Sequence, residues 1–128
     1  MRCLWDTHAL LWLYFGDTRI SARARTLMTD ASTENHVSGL SLWEIAIKLS
    51  LGKLEFAQVD LLMLAERIKD DGITLLHVEP KDCQQLLFLP PVHRDPFDRM
   101  IAVQCQTRQL ALISADSVFD QYGITRVW

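Results

Sequence analysis

Five short apolar runs, separated by helix-length stretches, constrain this chain of 128 residues more than any other feature. Four of them, RCLW near the start, ITLLHV at 73–78, LALISA at 110–115 and ITRVW at 124–128, are near-continuous and lack a clean apolar–polar alternation. A strand of that kind is buried on both faces, which predicts a mainly parallel sheet covered by helices on either side. We expect strands at 2–6, 36–39, 73–78, 110–115 and 124–128. Helices are expected at 7–15, 21–31, 41–51, 60–71, 80–88 and 95–108, with a short one at 117–121. In sheets of this type ligands sit beyond the carboxyl ends of the strands. The polar residues at those ends therefore matter most.

The punctuation agrees with this layout. Gly16, Gly52 and Gly72 each close an apolar-periodic run, where a helix end needs positive φ. Pro80 and Pro96 stand at first helical positions, which suit a residue without an N–H. Hydrophobic residues make up 49% and charged residues 23%, enough for one packed domain over 1–128 and too apolar for a disordered chain. Cys3, Cys83 and Cys105 have neither disulfide nor zinc spacing and read as small buried hydrophobes. The apolar start, MRCLWDTHALLWLYFGD, is interrupted by Asp6 and His8. Its uncharged run is too short for a bilayer, so we read a buried strand and helix of a cytoplasmic protein.

Four acids stand out by position. Asp6 follows the first strand and Asp116 the fourth. Each also precedes a helical stretch and would serve as an ordinary cap. Glu44 lies in SLWEIAIKLSLGK, a helix so apolar that most of it should be buried. A charge there must be paired, bind a metal or line a cleft. Two plainer accounts also fit Glu44: a Ser41–Glu44 capping box, and an i,i+4 pair with Lys48. In HRDPFDRMIAVQCQ, Asp95 is a natural N-cap, and Asp98 falls in line with Ile101, Ala102 and Cys105 on the face that packs against the sheet. Together, Asp6, Glu44, Asp98 and Asp116 would repel one another at one end of the sheet. The simplest compensation is a divalent cation, and carboxylate oxygens favour Mg²⁺ or Mn²⁺ over zinc. A hard cation held in this way typically works on phosphates.

These segments resemble those of PIN-domain ribonucleases, specifically the VapC-type toxins of bacterial toxin–antitoxin pairs. The likeness runs through LWDTHALLWL, SGLSLWEIAIKLSLGKL, VHRDPFDRMIAVQ, ISAD with Phe119, and the ending QYGITRVW. It implies a three-layer α/β/α sandwich with a central sheet of four to five strands. It also implies a Mg²⁺ or Mn²⁺ site formed by Asp6, Glu44, Asp98 and Asp116, supported by Thr7, Asp95, Ser114 and Arg99. The activity implied is hydrolysis of RNA phosphodiester bonds, in transfer or ribosomal RNA, leaving a 5′-phosphate and a 3′-hydroxyl. The partners implied are an antitoxin that blocks the cleft and a second copy of the chain, with no membrane involved. Two other readings compete: a PIN-like module that binds RNA or protein without cutting, and a phospho-accepting receiver domain. The four intact acids argue against the first. The lone acid of DTH and the absence of a Lys after ISAD argue against the second.

The remaining candidates have weaker claims. His8, His36, His77 and His93 form no ligand motif, and His8 reads as a helix-surface residue more readily than as part of the site mouth. Trp5, Trp12, Trp43 and Trp128 read as core or dimer contacts. Arg94, Arg99 and Lys48 would hold RNA phosphates or form local ion pairs. Sixteen acidic against thirteen basic residues give a net charge of −3. Without the four proposed ligands the acids are outnumbered, so the balance does not exclude an RNA substrate.

Overall fold

A computed structural model describes residues 1–128. Its strands are β1 (Arg2–Trp5), β2 (Glu34–Ser38), β3 (Thr74–Leu76), β4 (Ala111–Ile113) and β5 (Arg126–Val127). Its helices are α1 (Thr7–Tyr14), α2 (Ala22–Thr29), α3 (Gly39–Ser50), α4 (Leu61–Asp70), α5 (Pro80–Leu86) and α6 (Pro96–Arg108), with a 3₁₀ turn at Ser117–Tyr122. All strand pairs are parallel, in the order β3-β2-β1-β4-β5.

The predicted parallel sheet is there, and its interior explains the unbroken apolar runs. Along β1, Cys3 and Trp5 enter one core while Leu4 enters the other. Along β4, Ile113 and Leu112 divide in the same way. The pleat still alternates, but both faces are apolar. The first core is closed by Leu10 of α1, Ala24 and Met28 of α2, Ile45 of α3, and Leu64 and Ile68 of α4. The second is closed by Met100, Ile101, Ala102, Val103 and Cys105 of α6 and by Phe119 and Tyr122 of the 3₁₀ turn. Fully buried Trp5 donates its indole N–H to Asn35 at 2.8 Å, so the large ring carries no unmet donor into the core. No helix is long and apolar enough to cross a membrane.

Several expectations need correction. Strand β2 begins at Glu34, earlier than predicted, because Glu34 pairs with Arg2 of β1. The later strands are shorter than their apolar runs. Ile73 and Leu110 are buried beside the strands without belonging to them, since burial alone does not require ladder pairing. Helix α3 begins at Gly39 and is capped by Ser38, whose hydroxyl accepts from the Leu40 N–H at 3.2 Å. The Ser41–Glu44 capping box is therefore absent. Nor is α3 mostly buried: Ser41, Glu44 and Ile45 are its buried residues, and Trp43 is 60% exposed. Cys83 is exposed too, unlike Cys3 and Cys105.

Candidate metal centre

Parallel topology and capping together deliver the four acids to one place. Asp6 ends β1 and caps α1, accepting from the Thr7 N–H at 2.8 Å through Oδ1. Asp116 follows β4 and caps the 3₁₀ turn, accepting from the Val118 N–H at 2.9 Å through Oδ1. Asp95 caps α6 and sets Asp98 in its first turn. All five acids, including Glu44 of α3, line one cleft of about 370 Å³. Asp6 and Asp116 are thus helix caps that also line the cleft. Capping uses one oxygen of Asp6 and of Asp116, and the other oxygen of each turns to a further partner.

Those partners tie the cluster together. The Ser114 hydroxyl donates to Asp6 Oδ2 at 2.7 Å and accepts from the Asp116 N–H at 3.0 Å. Lys48 Nζ lies 2.9 Å from Glu44 Oε2, as the i,i+4 spacing predicted. Thr7 behaves differently. Its backbone N–H serves Asp6, while its hydroxyl donates to Ser41 Oγ at 2.9 Å and links α1 to α3. Arg99, expected beside the acids, turns away from the cleft. Its guanidinium donates to the carbonyls of Pro90, His93 and Leu89 and braces that loop. Arg94 is exposed.

Two histidines belong to the site that sequence reasoning undervalued. His8 lines the cleft, with Nδ1 3.2 Å from Asp6 Oδ2. Its Nε2 accepts the Ala115 N–H at 3.0 Å, so the neutral ring carries its proton on Nδ1, facing Asp6. Burial lowers its pKa to about 4, consistent with that neutral form. His93 lies with Nε2 2.8 Å from Asp116 Oδ2. His93, Asp98 and Asp116 each offer one possible ligand atom, and these atoms lie within 4.8 Å of one another. His93 meets Asp116 from 23 residues away, so no local spacing announces that ring, whereas His8 stands two residues from Asp6 and takes its other partner, the Ala115 N–H, from 107 residues away.

The electrostatics are those of an undercompensated site. Burial lifts Asp6 to about 6, against hydrogen bonds from Ser114 and Thr7, and the charges of Glu44 and Asp116 add to the rise. Asp98 is pushed to about 7 by burial and then by Asp6 and Asp95, and no hydrogen bond to its carboxylate offsets this. Burial also pushes Asp116 upward, but the bonds from His93 and the Val118 N–H outweigh it, leaving the carboxyl below its ordinary value. The donor set fits a divalent cation. It offers several crowded carboxylates against two lysines, Lys48 and Lys53, of which Lys48 is bonded to Glu44.

Comparisons with known proteins identify the family and the fold. The PIN-domain family model matches residues 3–124. Among solved structures, VapBC2 from Rickettsia felis, bound to a DNA fragment from its promoter, superposes with a TM-score of 0.73 at 10% identity, covering 99% of this chain and 98% of that one. VapBC-1 from nontypeable Haemophilus influenzae gives 0.67 at 17% identity, with 99% and 97% covered. FitAcB from Neisseria gonorrhoeae gives 0.62 at 14% identity, with 98% and 96% covered. No curated protein sequence matches the chain. The fold is that of these VapC-like structures, and the chain belongs to the PIN-domain family.

Proposed function

We propose that this protein is the toxin of a VapC-type toxin–antitoxin pair and a Mg²⁺- or Mn²⁺-dependent endoribonuclease. PIN domains are generally nucleases, which sets the reaction class. The observation that carries the reading is the convergence of Asp6, Glu44, Asp98 and Asp116 in one cleft, with Asp6 and Asp98 left short of compensating charge. Asp6, Asp98 and Asp116, with Glu44, would hold the cation. A bound divalent cation supplies a Lewis acid for the phosphate and lowers the pKa of a coordinated water. Ser114 orients Asp6, and the N-cap bond from Thr7 fixes its other oxygen. Lys48 and Lys53 line the cleft and supply local positive charge for an RNA phosphate.

Cleavage of RNA by the purified chain tests this directly. Activity should require Mg²⁺ or Mn²⁺, vanish with excess chelator and fall by at least about 100-fold in Asp98→Asn. Equal cleavage in chelator overturns the metal mechanism. Metal uptake without cleavage of any RNA would instead favour the non-catalytic module.

An antitoxin and a second copy of the chain are the expected partners. The related VapBC and FitAcB structures support the antitoxin. Exposed apolar side chains also fit a protein partner: Trp43 within α3 and Leu51 just after it, and Leu62 and Met63 on α4. Native mass measurement of the free chain should give a dimer.

A further inference from the structure

We infer that His93 is a positioning residue, and that Tyr122, His93 and Asp116 form a hydrogen-bonded relay that orients Asp116 toward the cation. The inference rests on the metal reading above and assigns it a device outside the four acids. The Tyr122 hydroxyl accepts the backbone N–H of His93 at 2.9 Å and lies 2.8 Å from His93 Nδ1. With that N–H occupying its acceptor side, the hydroxyl is free to direct its own proton at Nδ1. Nδ1 then accepts, Nε2 carries the ring proton, and Nε2–H donates to Asp116 Oδ2 at 2.8 Å.

Packing leaves the ring little freedom to do otherwise. The His93 side chain is 10% exposed. It stacks on Tyr122 with centroids 5.5 Å apart and planes 20° apart, and meets Phe119 at 4.5 Å. Tyr122 and Phe119 are buried. Asp116 is thus gripped at both oxygens, by the Val118 N–H on Oδ1 and by His93 on Oδ2. Each oxygen keeps a lone pair for a cation. The same tautomer argues against His93 as a direct nitrogen ligand, because Nε2 is already a donor.

The test is Mn²⁺ affinity of the full chain, read by calorimetry. His93→Phe keeps the ring packing and removes the donor, and affinity should fall about 10-fold or more, the usual effect of losing a group that orients a ligand. His93→Gln, which returns an N–H, should recover most of that loss. Tyr122→Phe, which frees the ring but spares the donor, should fall between wild type and His93→Phe. In an Asp116→Asn background, His93→Phe should cause no further loss, because its target is gone. Unchanged affinity in His93→Phe overturns the inference, as does an equal loss in both backgrounds or a His93→Gln no better than His93→Phe. Wild type that takes up no Mn²⁺ overturns the metal reading and this relay together, whereas wild type that binds and a His93→Phe that binds equally well overturns the relay alone. Should His93→Phe not fold, Tyr122→Phe in the two Asp116 backgrounds decides the matter: a loss that Asp116→Asn erases is expected, and unchanged affinity or an equal loss in both backgrounds overturns the inference.

Discussion

Two buried acidic regions of this molecule solve the same problem in opposite ways. Asp82, in the first turn of α5 and facing Arg108 of α6, is fully buried. Arg108 grips both its oxygens at 2.7 and 2.9 Å, the Thr107 hydroxyl donates at 2.7 Å and the Glu79 N–H at 2.9 Å. Burial pushes its carboxyl upward, but these bonds outweigh burial and hold it below the ordinary range. Asp98 is half-buried among other acids, receives no such bonds and is pushed to about 7. One acid has its cation built into the chain. The other is left wanting one. The contrast separates a carboxylate that welds two helices from carboxylates kept ready for an ion from solution.

The comparison breaks first at its structural end. Arg108→Ala leaves Asp82 charged, buried and unpaired, and should cost about 3–5 kcal/mol in a denaturant titration. A loss under about 1 kcal/mol would mean that Asp82 is solvated or protonated in the variant.

Next is the pH dependence of the chain in chelator. Asp6 has a folded pKa of about 6 against an ordinary 3.8, so the folded state binds its proton more tightly than the unfolded chain does. Metal-free stability should therefore fall as pH rises from about 4 to about 7, by roughly 3 kcal/mol for Asp6 alone. Asp98 acts in the same direction over a window reaching about 7. Asp82 has the opposite sign: its contribution is present above 3.8 and is lost as pH falls through its lower folded value. Melts at about pH 5 and about pH 8 check this, and a metal-free chain equally stable at both would remove the idea of an undercompensated site.

Smaller effects sharpen the picture. Asp98→Asn should raise metal-free stability at about pH 8 by roughly 1 kcal/mol, because it removes repulsion and buried charge without breaking a hydrogen bond. Ser114→Ala should instead destabilise by about 1 kcal/mol, because Asp6 Oδ2 loses its hydroxyl donor. Thermal melts of the two variants should therefore move in opposite directions.

Much of this contrast was legible in the sequence where the signal is local. Asp6 and Asp116 stand at strand ends, and Asp98 interrupts an apolar helix face, so chain position alone marks them. The apolar composition around Glu44 points to it only indirectly. Its helix is less buried than its composition suggests and starts at Gly39, yet Glu44 itself is buried in the cleft. The Arg108 clamp on Asp82 joins residues 26 apart, and no periodicity marks it. His8 and His93 escaped for the same reason, since each owes its role to a tertiary partner. Arg99 shows the reverse: it sits in a motif beside two acids, but α6 aims it at loop carbonyls.

The most direct test of the central claim is the thermal midpoint of wild type and Asp98→Asn at about pH 8, with Mn²⁺ and with chelator. At an Mn²⁺ concentration roughly 100 times its Kd, one bound ion stabilises the folded chain by about 2.7 kcal/mol. Mn²⁺ should raise the wild-type midpoint by several degrees and leave that of Asp98→Asn nearly unmoved. A wild type indifferent to Mn²⁺, or an equal rise in both proteins, would contradict that claim.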